Sequence, residues 1–494
     1  MGVKKAIVVG AGLSGLSAAV KLALNRWDVE VIDARNGPGG KAFTETMQGW
    51  RFDTGPSLLT MVGVFERLFN EAGKKLTDYF EPVPLDPVCH YWFADGSFFK
   101  AGRGPEGLKK SMVEAGLATK KEIENFLNYS KRLHQIAGPL FLEHALDYGL
   151  MFNPIFWKSL FQLPWLDVGR TMMQSLKTFF KDPRVWQYFG RYATYNGSSP
   201  FKAPATLNLI PWAELQGAWA VRQGIYAIPQ ALEKLAKELG VQFFYGKKVE
   251  EIEQFKKRVT GVRVKGEAEI RYADVVVSAT DVHETYRLLK EPGSPWNLRY
   301  KSLEPSSSGF VFYWGMNRSF PEMAYNNIFF SSDYEREFRE LFEQKSLPVE
   351  PTIYVNIGCR VTPEDAPPGG ENWFVLINAP QDVGQNWEEE GRKLRERVLN
   401  ILEKRLGKTI RDAIQVEGSW NPKQIEELTS SKGGSLYGLS SNRPSAAFQR
   451  HPNRHPDFKG LYLCGGSAHP GGGMPLASLS GQIAARLALK DNKS

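Results

Sequence analysis

A glycine-rich turn between two apolar runs limits the fold of this chain more than any other feature. The apolar run 6–9 precedes the turn, a run of small residues at 16–24 follows it, and a second apolar run at 29–32 ends at Asp33 and Ala34. The turn itself reads Gly10, Ala11, Gly12, Leu13, Ser14, Gly15. This order predicts a strand, a turn, a helix, a strand and an acid, which together begin a parallel sheet that binds a dinucleotide.

Each residue of this motif has a physical role. Gly10 permits the tight turn, Gly12 lets a pyrophosphate approach the backbone, and Gly15 lets the helix pack close to the strand. The helix N-terminus, beginning near Ser14, offers free N–H groups to phosphates. Asp33 stands where a carboxylate accepts hydrogen bonds from a ribose diol. A turn that binds nothing is the alternative, and the motif alone does not choose between NAD and FAD.

Two further glycine motifs follow Asp33. The first is Pro38, Gly39, Gly40, Lys41, and the second is Asp53, Thr54, Gly55, Pro56, Ser57. With the N-terminal turn, this order resembles the superfamily of FAD-dependent amine oxidases and carotenoid desaturases. The resemblance implies FAD, with Gly39 and Gly40 beside its pyrophosphate and ribityl chain and the charge of Lys41 close by. It also implies backbone contacts of residues 55–57 with the flavin ring and of Val249 with the adenine.

The C-terminal region carries the second strong signal. A glycine loop that contains Gly465, Gly466, His469, Pro470, Gly473, Met474 and Pro475 leads to a predicted helix over residues 476–489. This order resembles the closing FAD motif of phytoene desaturase-like carotenoid desaturases. The resemblance implies that the helix directs its N-terminus at the flavin, where its dipole stabilises negative charge. Amine oxidases carry an acid where this chain has Gly466, which disfavours that branch.

The resemblance implies an α/β fold with three parts. The first is a discontinuous Rossmann-like FAD-binding domain made of residues 1–80, 224–284 and 430–494. The second is an α+β substrate-binding domain made of residues 81–130 and 285–429. The third, residues 131–223, is a helical, aromatic-rich subdomain that faces a membrane.

Composition supports this reading of the middle region without deciding it. The net charge is +8, from 62 basic and 54 acidic residues, and no nucleic-acid-binding motif is visible. Aromatic residues concentrate between Phe141 and Tyr195 with basic residues between them, which suits a membrane interface. An aromatic helical core is an equally good interpretation of the same residues. Three scattered cysteines and seven histidines show no metal-ligand spacing, so we expect no metal site.

The resemblance implies a carotenoid desaturase on the cytoplasmic face of a membrane, held peripherally. Such an enzyme dehydrogenates a C–C bond of an acyclic or hydroxylated carotenoid by hydride transfer to flavin N5, with quinone or oxygen as possible electron acceptor. The C-terminal sequence GGGMPLASLSG favours 3,4-desaturation over the phytoene-type reaction. A carotene cis–trans isomerase, a flavin amine oxidase and a non-catalytic FAD scaffold remain alternatives.

Two residues are weak candidates for catalysis. Glu214 lies among Trp212, Trp219 and Arg222, and a salt bridge to Arg222 is the favoured interpretation. His469 precedes Pro470, and a role in organising the loop is favoured over catalysis. A strong general base is dispensable if an allylic cation forms, because such a cation is itself acidic.

Overall fold

The computed structural model describes residues 2–145, 162–291, 293–446 and 449–493. Its strands are β1 (Lys5–Val9), β2 (Asp28–Ile32), β3 (Thr44–Met47), β4 (Trp50–Asp53), β5 (Leu59–Thr60), β6 (Pro82–Pro84), β7 (Cys89–Trp92), β8 (Phe98–Ala101), β9 (Ala218–Val221), β10 (Gln242–Phe244), β11 (Val249–Phe255), β12 (Arg258–Val264), β13 (Arg271–Tyr272), β14 (Val275–Ser278), β15 (Ser308–Met316), β16 (Asn326–Phe329), β17 (Ile353–Ile357), β18 (Glu371–Ala379), β19 (Ile414–Trp420) and β20 (Leu461–Leu463). Its α-helices are α1 (Leu13–Ala23), α2 (Gly63–Glu71), α3 (Gly104–Glu114), α4 (Lys120–Glu143), α5 (Met172–Phe179), α6 (Pro183–Gly190), α7 (Leu209–Leu215), α8 (Ala227–Glu238), α9 (Val282–Leu288), α10 (Pro295–Lys301), α11 (Tyr334–Arg339), α12 (Trp387–Leu406), α13 (Pro422–Thr429) and α14 (Met474–Asp491).

A five-stranded parallel sheet organises the two ends of the chain. Its order is β10-β2-β1-β14-β20, so that strands from residues 5–32, 242–278 and 461–463 lie side by side. Val8 pairs with Val31 on one side and with Val277 on the other. Most residues of these strands are apolar because both faces are buried, by α1, α8 and α14 on one side and by β11 and β12 on the other.

The N-terminal and C-terminal helices of this layer touch through glycine and serine. A methyl group on Gly481 would lie 1.9 Å from the carbonyl oxygen of Ser14, and the hydroxyls of Ser17 and Ser478 are hydrogen-bonded at 2.8 Å. Small residues on both helices therefore allow α1 and α14 to approach closely. The contact holds the two glycine motifs at opposite ends of the sequence next to each other.

A mixed seven-stranded sheet forms a second layer. Its order is β19-β15-β18-β17-β16-β7-β8, with β16 and β7 parallel and the other neighbours antiparallel. One face packs Trp314 and Val355 against the apolar side of α12. The opposite face carries Tyr313 and Tyr354, whose hydroxyls bond to the segment after β4. The overall architecture is thus a mixed α/β fold.

The aromatic middle region differs in part from the sequence expectation. Among its described residues, Phe180, Tyr188, Phe189 and Tyr192 are buried in a common core, whereas Trp165 is exposed. Six of the aromatic residues counted in the sequence fall where the structure describes no residue or no side chain: Phe141, Tyr148, Phe152, Phe156, Trp157 and Phe161. Within the described ranges, no helix combines the length and apolarity needed to cross a membrane.

The helical reading of this region also fails at its C-terminal end. Residues 218–221 form β9, which lies between β5 and β6 in a small antiparallel sheet. Leu59 pairs with Trp219, and Val83 pairs with Ala220. These long-range partners override the local helical pattern, and they attach the region after Glu214 to the segment after Ser57.

Candidate functional site

The glycine turn ends in an uncapped helix N-terminus. Gly10 has a φ of +104°, which favours glycine, and its N–H donates to the Ile32 carbonyl oxygen at 2.8 Å. Gly12 is the N-cap of α1, and no described side chain caps the helix there. A methyl group on Gly12 would meet no atom within 4 Å, whereas one on Gly15 would lie 2.0 Å from the Gly10 carbonyl oxygen. The turn is therefore tightly packed at Gly15 and open at Gly12, where a phosphate fits.

Asp33 is held in place by backbone N–H groups. Its carboxylate accepts hydrogen bonds from the Ala11 N–H at 2.6 Å and from the Arg35 N–H at 2.8 Å. Ala34, the residue after Asp33, is exposed. Burial raises the pKa of Asp33, and these two hydrogen bonds and the charge of Arg35 oppose that rise. Because a carboxylate has about four acceptor positions, at least two remain for a ribose diol.

The Gly39–Gly40 pair lies against the same turn. The Gly39 N–H donates to the Ala11 carbonyl oxygen at 2.8 Å, and the positive φ angles of +121° and +59° at Gly39 and Gly40 favour glycine. A methyl group on Gly40 would lie 3.3 Å from the Cα atom of Gly12. The two glycine motifs therefore form one surface made of backbone.

Lys41 makes contacts that the resemblance did not indicate. Its ammonium group donates to the carbonyl oxygens of Ser435 and Leu436, at 2.9 and 3.0 Å. Burial lowers the pKa of Lys41 to about 8, against the opposing charge of Asp281. Lys41 therefore ties the N-terminal motif to the segment that precedes the C-terminal glycine loop.

Three tyrosines in the seven-stranded sheet or next to it hold the segment of residues 54–57. The Ser57 Oγ lies 2.6 Å from the Tyr354 hydroxyl, and the Tyr325 hydroxyl donates to the Ser57 carbonyl oxygen at 3.1 Å. The Tyr313 hydroxyl donates to the Thr54 carbonyl oxygen at 3.1 Å. The segment is thus placed between the sheet and the nucleotide-binding layer, with Pro56 half-buried.

A glycine turn at Gly224 joins β9 to α8. Gly224 has a φ of +78°, and a methyl group there would lie 2.8 Å from the Asp53 carboxylate. That carboxylate accepts the N–H of Ile225 at 2.7 Å, so Asp53 joins β4 to the start of α8. Val249 is buried in β11 opposite Val264. Gly224 therefore allows β4 and the segment before α8 to meet closely at Asp53.

The C-terminal glycine loop approaches the N-terminal helix. Gly465 has a φ of +117°, and a methyl group there would lie 3.4 Å from the Ser14 Oγ. The carbonyl oxygen of Gly466 accepts the Arg450 guanidinium at 2.9 Å. Gly473, with a φ of +101°, precedes α14, which begins at Met474 and Pro475 without a side-chain cap.

These contacts fit FAD. Two helices of the same layer, α1 and α14, begin without a capping side chain, and glycine backbone surrounds both starts. Such helix ends are favourable positions for the anionic pyrophosphate and for the electron-rich edge of a flavin. Gly10, Gly12, Gly39, Gly40 and Asp33 would hold the nucleotide half, and residues 55–57 with 465, 466 and 473–475 the flavin half.

His469 is placed as a loop organiser rather than as an accessible acid or base. Its ring Nε2 bonds to the His144 carbonyl oxygen at 2.9 Å, and its own carbonyl oxygen accepts the Ser480 hydroxyl and the Asn453 amide. Burial lowers the pKa of His469 to about 4. The imidazole is therefore neutral near pH 7, and the contacts favour the structural interpretation.

Glu214 is buried, but its partner is not Arg222. Its carboxylate accepts the Arg191 guanidinium at 3.1 Å and the hydroxyls of Tyr192 and Tyr195 at 2.5 and 2.6 Å. Arg222 is largely exposed and pairs with Glu81. The expected salt bridge was wrong because α7 turns Glu214 inward, whereas Arg222 follows β9 at the surface.

The comparisons with known proteins identify the family. The sequence profile described as "Flavin containing amine oxidoreductase" matches residues 13–489. The chain belongs to this family. The resemblance to its carotenoid desaturases and the prediction of FAD as cofactor are thereby confirmed.

Relatives of this flavin oxidoreductase carry carotenoid names. A "1-hydroxycarotenoid 3,4-desaturase" of Flavobacterium sp. (strain P99-3) is 38% identical over 487 residues, covering 98% of this chain and 99% of the relative. A "4,4'-diapolycopene oxygenase" of Methylomonas sp is 36% identical, covering 97% of both chains. A "4,4'-diaponeurosporene oxygenase" of Staphylococcus aureus (strain USA300) is 34% identical with the same coverage.

Solved structures share the fold of this flavin oxidoreductase. An oxidoreductase from Methanosarcina mazei has a TM-score of 0.65 at 16% identity, covering 98% of this chain and 100% of the other. Putrescine oxidase bound to putrescine has a TM-score of 0.64 at 15% identity, covering 99% of both. At such identity the likeness shows the fold alone.

Several residues of this site were missed in the sequence. Tyr354 lies in the strand β17, and the period of two in a strand would have assigned its side chain to one face. Arg450 and Arg191 carry no local pattern, because their partners are backbone carbonyls and side chains from distant elements. Only the folded chain shows that they are buried.

Proposed function

We propose that this flavin oxidoreductase is a FAD-dependent carotenoid desaturase that introduces a 3,4 double bond into an acyclic, hydroxylated carotenoid. The observation that carries the proposal is the match over almost the full length of a 1-hydroxycarotenoid 3,4-desaturase at 38% identity. The site agrees with an apolar substrate, because the sheet face beside residues 55–57 carries Ile328 and Leu376 next to Tyr354.

The reaction removes two hydrogens from neighbouring carbons of the substrate. Bound FAD supplies the acceptor for one of them as a hydride, the other leaves as a proton, and a quinone or oxygen restores the oxidised cofactor. The chain itself binds and orients the polyene and excludes water. Each CH₂ buried in an apolar channel contributes about 0.8 kcal/mol to substrate binding.

The polar groups beside residues 55–57 are neutral donors rather than bases. Burial raises the pKa of Tyr354 well above its ordinary value, so its hydroxyl stays protonated at neutral pH. Its contacts are the Ser57 hydroxyl and the Asn326 amide oxygen, at 2.6 and 2.7 Å. These groups hold the segment in place, and the proposal needs no catalytic carboxylate there.

The rival reactions have less support. A carotene cis–trans isomerase would use the same cofactor site but give no net oxidation. An oxygenase is favoured by the names of two relatives at 36% and 34% identity, below the 38% of the desaturase. Gly466 disfavours an amine oxidase, because that branch carries an acid there.

We propose further that the enzyme binds peripherally to the cytoplasmic face of a membrane and takes its substrate from the bilayer. The net charge of +8 favours an anionic lipid surface. Trp165 and Val168, with 53% and 47% of their surface exposed, present apolar groups next to basic residues such as Arg170. Flotation with anionic vesicles tests this, and Trp165→Ser should reduce the bound fraction several-fold.

Expression in hosts that accumulate defined acyclic carotenoids tests the reaction. The proposal predicts a pigment that has lost two hydrogens and absorbs at longer wavelength. A pigment of unchanged mass would identify an isomerase, and a pigment that gains oxygen would identify an oxygenase. Hosts with and without a carotenoid 1-hydroxyl group separate the substrate question from the reaction itself.

A further inference from the structure

A charged pair lies inside the aromatic core that borders the second sheet. Arg191 and Glu214 have only 5% of their surface exposed, and they are joined at 3.1 Å. Tyr195 bridges them, since its hydroxyl lies 2.7 Å from Arg191 and 2.6 Å from Glu214. The rings of Tyr91, Tyr188, Tyr192 and Tyr195 surround the guanidinium, with centroids between 4.1 and 5.4 Å away.

The hydrogen bonding of this cluster is incomplete. The Arg191 Nε–H and the Tyr91 hydroxyl are buried and have no hydrogen-bond partner among the described residues. The thiol of Cys89, a weak acceptor, is a polar neighbour of Tyr91. A buried donor without a partner costs about 1–3 kcal/mol, so two of them beside one charged pair favour a ligand that accepts both.

The cluster borders the flavin side of the second sheet. Across the strands, Tyr91 pairs with Ile328, and Ile328 pairs with Tyr354, whose hydroxyl bonds Ser57. Two strand spacings amount to about 10 Å. The charge of Arg191 also lowers the pKa of the Tyr354 hydroxyl against the larger effect of burial. The guanidinium therefore lies to one side of the segment 55–57, about two strand spacings away.

The charges in the cluster restrict the chemistry of a ligand. Glu214 already neutralises Arg191, so an anion would meet no net positive charge, and a neutral oxygen is preferred. Oε1 of Glu214 accepts two hydrogen bonds and Oε2 accepts one, which leaves one acceptor position on Oε2. A hydroxyl group matches both the donors and the acceptor of the cluster. Its oxygen accepts a hydrogen bond from Arg191 or Tyr91, and its O–H donates to Glu214. A carbonyl group has no proton to donate.

We propose that Arg191, Tyr91 and Glu214 form an end-group site that binds the terminal hydroxyl of a carotenoid and thereby selects the bond to be oxidised. The inference rests on the proposed function and names the substrate feature that the site recognises. From a hydroxyl on carbon 1, carbons 3 and 4 are only three or four bonds away. With the hydrogen bond included, the span is about 8 Å. If the hydroxyl oxygen is held two strands from Tyr354, the bond that lies opposite residues 55–57 is one near the end of the chain. A bond in the middle of the polyene would not reach that position.

Tyr91→Phe is the cleanest test, because it keeps the ring and removes a hydroxyl whose neighbour among the described residues is the weakly accepting Cys89 thiol. We expect an unchanged melting temperature and about a tenfold weaker affinity for a 1-hydroxylated acyclic carotenoid. The affinity for the matched hydrocarbon without the hydroxyl should be unchanged. Binding is measured on the apoprotein and on protein whose FAD has first been reduced, so that no hydride can be accepted, by the shift of the carotenoid absorption band. Arg191→Lys, which keeps the charge opposite Glu214, should give the same selective loss.

Tyr129→Phe is the matched control, since its hydroxyl bonds Asp167 at 2.7 Å and none of the three residues of the end-group site. It should lower the melting temperature and affect both carotenoids alike. An equal loss of affinity for both carotenoids in Tyr91→Phe, or no loss of affinity for either, would overturn the end-group site. If the protein still turns over both carotenoids, the proposed function stands. If the wild-type protein with FAD desaturates neither substrate, the proposed function itself fails.

Discussion

The Ser57 Oγ and the Tyr354 hydroxyl lie 2.6 Å apart, although 297 positions separate them in the chain. This hydrogen bond joins the glycine segment after β4 to the central strands of the second sheet. The face that would receive a polyene is therefore built onto the same residues that border the flavin half of the site. With FAD and a polyene in these positions, this pair of side chains would couple the placement of the cofactor to that of the substrate.

Removing that link should weaken cofactor binding more than it weakens the fold. Tyr354→Phe loses the bonds to Ser57 and to the Asn326 amide oxygen, which costs about 1–2 kcal/mol of unfolding free energy. We expect the FAD dissociation constant to rise several-fold in titrations followed by flavin fluorescence. Tyr129→Phe is the control, because its hydroxyl bonds Asp167 far from the cofactor residues. Equal effects of the two variants on FAD affinity would contradict the coupling.

Two glycines should respond to alanine in opposite ways. Gly12→Ala adds a methyl group that meets no protein atom within 4 Å, so the apoprotein should keep its melting temperature while FAD affinity falls at least tenfold. Gly481→Ala places a methyl group 1.9 Å from the Ser14 carbonyl oxygen, so it should destabilise the apoprotein by about 3 kcal/mol or more. Thermal unfolding and flavin titration of both variants decide this. Unchanged FAD affinity in Gly12→Ala would show that the cofactor does not approach the turn there.

The lowered pKa of Lys41 predicts that the free energy of unfolding of the apoprotein depends on pH. Its pKa falls from 10.5 to about 8 on folding, so between these values the unfolded chain binds more protons and the free energy of unfolding rises with pH. The full effect of this one residue is about 3 kcal/mol, at 1.36 kcal/mol per pKa unit. Urea unfolding at pH 7.5 and pH 10 measures it. Lys41→Met and Lys41→Arg should both lack this rise relative to the wild type, and a rise of the same size in Lys41→Met would contradict the assignment.

The raised pKa of Glu337 predicts that, at lower pH, the free energy of unfolding falls as pH rises. Burial raises the pKa of Glu337 to about 7, although Ser331 and Thr352 donate hydrogen bonds to it. The native state therefore binds more protons between pH 4.5 and 7, and its contribution to stability is lost as pH rises through that window. Relative to the wild type, Glu337→Gln should gain about 1–3 kcal/mol of unfolding free energy between pH 5 and pH 8. Glu335→Gln, on the same short helix, is the control, and a parallel pH profile for the two variants would refute the prediction.

The nucleotide-binding layer was predictable because its signals are local. The runs 6–9, 29–32 and 275–278 read as buried parallel strands, and the glycine spacing indicated the turn between the first strand and its helix. Such features depend on neighbours within a few residues.

The substrate side was less predictable because its contacts join distant residues. Glu214 was assigned to Arg222, eight residues away, but pairs with Arg191 on a different element. Residues 218–221 were read as helical, and they form a strand because β5 and β6 flank them. Neither partner leaves a trace in the local sequence, so propensity and spacing alone could not find them.

Anaerobic single turnover of the purified, FAD-loaded protein tests the central claim most directly. After mixing with an excess of a 1-hydroxylated acyclic carotenoid and anaerobic extraction of the pigment, whose visible band overlaps that of flavin, we predict that the protein-bound flavin is found reduced. Mass spectrometry should find one product molecule, lacking two hydrogens, for each flavin reduced. A flavin that stays oxidised while the carotenoid keeps its mass would contradict the assignment of this chain as a carotenoid desaturase.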